Sequence, residues 1–186
     1  KKKITKKTKA IIPVHMLGHS CEMKKIINIC KKNKIKIIED NCESVGGKFN
    51  KLFLGTIGDI GIFSFDHGKI LTTGEGGLIL SNNKKLFLNA KEYHDHGHKN
   101  VKNKPRGKDD VGFPGFNYRI TELQGAIGTV QLKKLPMILR ENKKRYNIFK
   151  KILLNKVQFR EQIKNTTPNY DTIIFFKKNK DKIKKI

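Results

Sequence analysis

No run in this sequence comes near the ~18 consecutive apolar residues that a membrane helix needs. The Lys-rich start also lacks the apolar stretch and small-residue cleavage site of a secretory signal. A cytoplasmic protein with no membrane partner is expected. Cysteine is scarce: Cys21, Cys30 and Cys42 are an odd number without CxxC spacing, which speaks against a disulfide framework and against a zinc site. Neither GxGxxG nor a P-loop is present, because the glycines at 55, 58 and 61 and the run Gly74-Glu75-Gly76-Gly77 fit neither pattern. Arginine is rare as well, 5 residues beside 36 lysines in a chain of net charge +25. Such a charge favours salt-sensitive sticking to polyanions. Base and phosphate recognition, however, draws on the arginine fork, and these lysines are spread over the whole length among Ile and Asn. No specific nucleic-acid partner is expected.

What is present fits a folded domain. A length of 186 residues with 37% hydrophobic content supports one core. Ala10 to Val14 is a short apolar run that reads as a buried strand, closed by His15 and Gly18. Ser20 is placed to cap a helix whose apolar positions Met23, Ile26, Ile27 and Cys30 share a face. Ile35, Ile37 and Ile38 form a second strand ending in Glu39 and Asp40. Strand, helix, strand makes a βαβ unit, the building block of a parallel sheet. Phe49 and Leu52 to Leu54 read as a hairpin around Asn50 and Lys51, and strands are expected at Ile60 to Phe65 and Leu78 to Leu80. Residues 84 to 93 are expected to be helical, and His94 to Gly115 to be a long polar loop. Thr121 with Gln124 three positions on is a capping box for a helix carrying Leu123, Ile127 and Val130. Pro136 is expected to break that helix, with a second one following over Leu139, Tyr146, Phe149 and Leu153. Residues 161 to 170 read as a polar linker, Asp171 to Phe176 as an unfinished strand, and the Lys/Asn-rich tail as low complexity.

Four residue sets are able to carry chemistry. Glu39-Asp40 with Glu43 stand where a strand ends, and in open α/β sheets such ends face the ligand crevice. A carboxylate there is able to keep a ring nitrogen protonated, although, taken alone, a cap or turn aspartate accounts for it better. Ser64 and Lys69 follow at the end of the next strand, in Phe63-Ser64-Phe65-Asp66-His67-Gly68-Lys69. A lysine shielded beside a crevice is able to attack an aldehyde, whereas the alternative is one surface lysine among 36. Gly115-Phe116-Asn117-Tyr118-Arg119 precedes a capped helix and suits an anion or an ordinary turn. His94-Asp95-His96-Gly97-His98 alternates imidazoles in a loop with no partner cluster, so no metal is expected.

Taken in order, Ile12-Pro13-Val14-His15, Glu39-Asp40, Gly58-Asp59-Ile60-Gly61, Phe63-Ser64-Phe65 through Lys69, Thr72 to Gly77, and Asn117-Tyr118-Arg119 with Glu122-Leu123-Gln124 form a set. The set resembles the DegT/DnrJ/StrS sugar aminotransferases, continuously over residues 4 to 136 and weakly at Asp171 to Phe176. The resemblance implies an α/β fold: part of the large, pyridoxal-phosphate (PLP) binding domain of a type I aminotransferase, with a mostly parallel sheet flanked by helices. The start of a small α+β domain would follow. Its division of the chain is 1–136 for the partial large domain, 137–160 for a connecting helix and 161–186 for the beginning of the small domain. By position Lys69 matches the lysine that carries PLP, Asp40 the carboxylate at the pyridine nitrogen and Ser64 a phosphate contact. Asn117 matches the asparagine that reaches the phosphate of a neighbouring subunit, which implies a homodimer with shared sites. Glu43 stands near the ring where the family usually has Gln or His.

The implied reaction is transfer of an amino group, from glutamate, to a keto-sugar, commonly nucleotide-linked, in amino-sugar or surface polysaccharide biosynthesis. Related dehydratases carry histidine where Lys69 stands, so the lysine points to transamination. The family's phosphate cup and the aromatic residue stacked on the ring have no counterpart before Lys1, and the chain starts without Met. It therefore reads as a fragment, with an inactive remnant of such an enzyme or a Lys-rich polyanion-binding protein as alternatives.

Overall fold

The computed structural model describes residues 2–105 and 107–176. Its centre is a four-stranded sheet built from β1 (Ala10–Ile11), β2 (Lys36–Asp40), β5 (Ile60–Ser64) and β6 (Gly77–Leu80), in the order β1-β2-β5-β6. The first three are parallel, and β6 runs antiparallel to β5. Between β1 and β2 the chain makes a 3-10 turn (Met16–Gly18) and then α1 (Met23–Asn33). The apolar stripe of α1 supplies Met23 and Cys30 to a core completed by Ile35, Ile37, Phe49 and Leu54. That core lies on one side of β2, where alternate residues point inward.

Ser20 is not the cap of α1. Glu22 occupies the cap position without a side-chain bond, and the Ser20 hydroxyl donates instead to the Cys21 carbonyl. Ser20 sits two residues too early in a stretch already held by that local bond.

A hairpin follows β2, with β3 (Lys48–Phe49) and β4 (Leu52–Phe53). Asn50 and Lys51 turn it with φ of 48° and 68°, the left-handed pair that a two-residue hairpin requires. β5 then passes so close to this region that a side chain at Gly61 would lie 1.8 Å from the Gly55 carbonyl oxygen. Only glycine fits the crossing.

α2 (Lys84–Tyr93) is capped by the Asn83 side chain, which accepts from Leu86 N–H. The capping box at Thr121 is complete: its hydroxyl accepts from Gln124 N–H, and the Gln124 side chain reaches back to Thr121 N–H. It opens α3 (Glu122–Leu153), a single helix of 32 residues that runs through Pro136. The expected break is absent. Proline at 136 withdraws one hydrogen bond from the Leu132 carbonyl, but Leu132, Lys133 and Pro136 carry exposed surface, so water meets the freed group.

Residues 161 to 170 are not a linker. β8 (Thr166–Thr167) adds a third strand to the β3–β4 hairpin, and Asn169 is fully buried. β7 (Gln158–Phe159) pairs antiparallel with β9 (Phe175–Phe176), so the strand expected at Asp171 to Phe176 is shorter and finds its neighbour just upstream. Most of the low-complexity tail lies outside the described residues. Among the described residues, no helix is long and apolar enough to cross a membrane.

Candidate active site

β2 and β5 are paired in parallel, with Asp40 opposite Ile62, so their ends deliver Asp40 and Ser64 to the same margin of the sheet. Beyond β5 the chain folds into a compact loop. Phe65 closes it by donating to Gly76 O and accepting from Thr73 N–H, at 2.9 and 3.0 Å. Within the loop, Asp66 N–H donates to the Ser64 hydroxyl at 3.3 Å, and Lys69 N–H donates to Asp66 O at 3.0 Å. Lys69 is thereby turned back, half-buried, into a cavity of about 80 Å³ bordered by Leu17, Cys42, Glu43, Asp171 and Thr172.

Glu43 holds the opposite wall. Its Oε2 accepts from Leu17 N–H at 2.8 Å, pinning the 3-10 turn at a residue with φ of 55°. Asp40 adjoins the cavity through Cys42, whose N–H donates to Asp40 Oδ1 at 3.1 Å. Burial, joined by the hydrogen bond and charge of Asp40 and opposed by Lys69, pushes the Cys42 thiol up to about 11. Cys42 is therefore a neutral thiol near pH 7 rather than a nucleophile.

Glu39, grouped in sequence with Asp40, faces the other way. It is fully buried and bonds to His15 Nε2 at 2.9 Å, Gly55 N–H at 3.0 Å, Ile57 N–H at 2.7 Å and Gly58 N–H at 2.6 Å. Burial alone would push its carboxyl up, yet these bonds outweigh burial and hold it below the usual carboxylate range. For His15, burial lowers the pKa, while hydrogen bonding to the Cys21 side chain and to Glu39 raises it, with a net effect up to about 9. The bond from Cys21 N–H to His15 Nδ1, at 3.1 Å, belongs to the neutral ring. Charging the ring gives up that bond for a stronger one to Glu39.

Asn117 does not border the Lys69 cavity. It is exposed ahead of α3, bridges to Asp95 in antiparallel fashion, and accepts from Arg119 Nε at 3.0 Å. Arg119 in turn pairs with Asp95 at 3.2 Å. His98 Nδ1 lies 3.1 Å from Asp109 Oδ1 within the same loop. Asp66, His67 and Glu75 bring ligand-type atoms within 4.8 Å of one another, but His67 and Glu75 are exposed and His67 already pairs with Asp66 at 2.6 Å.

Of the residues singled out in the sequence, Lys69 and Glu43 border this cavity, and Asp40 lies beside it through Cys42. Asp171 was missed as part of it, because it lies far along the chain and carries no local motif.

A mostly parallel sheet with helices, of this strand order, matches the large-domain fold of type I PLP aminotransferases. An aminotransferase of Psychrobacter cryohalolentis shares it, at 30% identity and a TM-score of 0.78 over 90% of this chain and 46% of that one. So does the E. coli GDP-4-keto-6-deoxy-D-mannose-3-dehydratase, solved with bound hydrated PLP, at 29% identity and a TM-score of 0.83 over 96% of this chain and 49% of that one. The chain belongs to the DegT/DnrJ/EryC1/StrS aminotransferase family, whose model matches residues 1–185. Among curated relatives it is 36% identical over 168 residues to GDP-perosamine synthase of Escherichia coli O157:H7, covering 90% of this chain and 45% of that protein. It spans about half the length of the relatives it matches.

Proposed function

We propose that this chain contributes the lysine-bearing part of a PLP-dependent aminotransferase that passes an amino group, from glutamate, to a keto-sugar, commonly nucleotide-linked, in amino-sugar or surface polysaccharide synthesis. The observation that carries this reading is the half-buried Lys69 side chain in a cavity walled by Glu43 and joined through Cys42 to Asp40. The donor set suits the cofactor. It offers an amine for a carbonyl, a carboxylate for a pyridinium, and a hydroxyl at Ser64 for a phosphate. When bound, PLP supplies an aldehyde and a ring that accepts an electron pair.

Lys69 would hold that aldehyde and, once the donor's amine displaces it, carry a proton as general base and acid. Asp40 would keep the ring nitrogen charged, since an opposite charge favours the cationic form. Glu43 would stand near the ring in the place of the usual Gln or His. Ser64 would take the phosphate from its own subunit and Asn117 from the partner's, in a homodimer with shared sites. The exposure of Asn117, away from the Lys69 cavity, supports a role across subunits. A division into a partial large domain at 1–136, a connecting helix at 137–160 and the start of a small domain at 161–186 accompanies this reading. The connection would then be the second half of one continuous α3.

Addition of PLP is expected to colour the protein yellow, and borohydride to fix the cofactor to Lys69, as read by peptide mapping. A Lys69→Ala variant should lose that adduct. Nitrogen-labelled glutamate with a panel of nucleotide keto-sugars then tests donor and acceptor. Absence of any adduct at Lys69 in the wild type overturns the reading.

A further inference from the structure

Two side chains fasten the pieces that surround Lys69. On one side is Asn169, fully buried. Its N–H donates to Gly18 O at 3.2 Å, its Nδ2 donates to Glu43 O at 2.9 Å, and its Oδ1 accepts from Asp171 N–H at 3.2 Å. This fastening brings Asp171 and Thr172 to the Lys69 cavity. On the other side is the loop of residues 66–76, which carries Lys69 itself. Its bonds lead back to the strand it leaves: Thr73 N–H and the Thr72 hydroxyl both donate to Phe65 O, and Gly76 O accepts from Phe65 N–H. One bond points elsewhere. Among the described residues, the hydrogen bond that joins this loop to an element other than β5 and β6 runs from Gln124 Nε2, in the first turn of α3, to Glu75 O at 2.9 Å.

We propose that Gln124 is a positioning residue for Lys69, a proposal that rests on the reading of Lys69 given above. The two ends of its amide serve different partners. Oε1 accepts from Thr121 N–H at 2.8 Å and closes the cap of α3, while Nε2 holds Glu75 O. Turning the amide over would set N–H against N–H and oxygen against oxygen, so one side chain fixes the start of a long helix and the end of the lysine loop in a single geometry.

The hold reaches into the loop. Glu75 O also accepts from the hydroxyl of buried Thr73 at 2.5 Å. One helical turn beyond Gln124, a side-chain carbon at Gly128 would lie 3.2 Å from Thr73 Cγ2, so the same face of α3 sits against the same loop residues. Lys69 lies between Asp66, whose carbonyl accepts from Lys69 N–H, and Thr73. With both flanks held, the loop has few ways to turn the amine out of the cavity. Without the Gln124 bond it keeps its anchor at Phe65 but has more conformations to give up when a ligand binds, and that ordering weakens binding.

Glutamate also closes a capping box, so Gln124→Glu separates the two roles. Near pH 7 its carboxylate still accepts from Thr121 N–H but has no proton to donate to Glu75 O. In the full chain, circular dichroism should report the helix content of the wild type. Hydrogen exchange read by NMR should quicken at the Lys69 and Thr73 amides by about threefold to tenfold, the worth of one hydrogen bond, and stay unchanged at the Gly125 amide, which donates to Thr121 O within α3. The affinity for PLP, titrated by absorbance with the adduct at Lys69 fixed by borohydride, should fall by a similar factor. At pH 4 the new carboxyl, with an ordinary pKa of ~4.3, is mostly protonated and able to donate to Glu75 O, so the loop exchange should return toward that of the wild type. Gln124→Ala, which removes both roles, should quicken Gly125 as well.

Unchanged exchange at Lys69 and Thr73 in folded Gln124→Glu, equal quickening at Gly125, or an unchanged affinity for PLP overturns the proposal. The two readings fail separately. A wild type that forms no PLP adduct at Lys69 removes the cofactor role, and exchange alone then decides whether Gln124 holds the loop. A PLP adduct in the wild type with loop exchange unchanged in Gln124→Glu does the reverse.

Discussion

Glu39 and His15 form a hydrogen-bonded pair at 2.9 Å in which neither side chain has any exposed surface. The pair fastens the end of β2 to two other segments: the one before α1, through His15, and the turn at 55–58, through three N–H groups on the carboxylate. Neighbouring residues of a strand point to opposite faces, so anchoring Glu39 inward turns Asp40 outward. The backbone of Asp40 is fixed as well, its N–H donating to Pro13 O and its carbonyl accepting from His15 N–H, both at 2.9 Å.

Glu39→Ala is therefore expected to destabilise the fold by about 3–5 kcal/mol, because it strands a buried imidazole and three N–H donors at once. Urea denaturation followed by circular dichroism measures this. Glu39→Gln, which keeps an acceptor but loses the charge, should fall between Ala and the wild type.

The same pair predicts two losses of stability with pH. The folded pKa of Glu39 is lowered, so its contribution is present above the unfolded value of ~4.3 and is lost as pH falls through the folded one. The folded pKa of His15 is raised to about 9, so its contribution is complete below ~6.5 and is lost as pH rises through 9. Thermal melts across pH 3 to 10 should show both flanks in the wild type, with both flattened in Glu39→Gln.

Asn169→Ala removes two buried side-chain bonds and opens space beside Gly18. A loss of about 2–4 kcal/mol is expected. Hydrogen exchange at the Asp171 amide should quicken more than exchange in α3, and equal acceleration everywhere would show that Asn169 is not a local fastener.

Two glycines should respond in opposite directions to alanine. Gly61→Ala drives a methyl group into the Gly55 carbonyl, and a loss above about 3 kcal/mol or failure to fold is expected. Gly125→Ala lies within α3 with nothing within 4 Å of the added carbon. It should raise stability by about 1 kcal/mol, read as an increased Tm.

What the sequence made legible was local. The Thr121–Gln124 box, the hairpin around Asn50 and Lys51, and the helix at 84–93 are each specified by residues within a few positions, and each formed as expected. The continuity of α3 through Pro136 was not legible, since it turns on whether the freed carbonyl meets water. The third strand at Thr166–Thr167 depends on a partner more than a hundred residues away, and polar residues gave no apolar pattern to signal it. The same contrast holds in the site. Glu43 and Lys69 follow strand ends and border one cavity, with Asp40 beside it through Cys42, whereas Asp171 reaches it only through the Asn169 fastening.

β6 carries a further consequence. Leu78, Ile79 and Leu80 are 43, 49 and 38% exposed on a strand that ends the sheet order among the described residues. Such a margin is an invitation to main-chain pairing, and charged or bent residues that would discourage it are absent from these three positions. Whatever polypeptide next lies alongside β6 inherits both a ladder to join and an oily flank to shelter, and the chain on its own should associate more readily as its concentration rises.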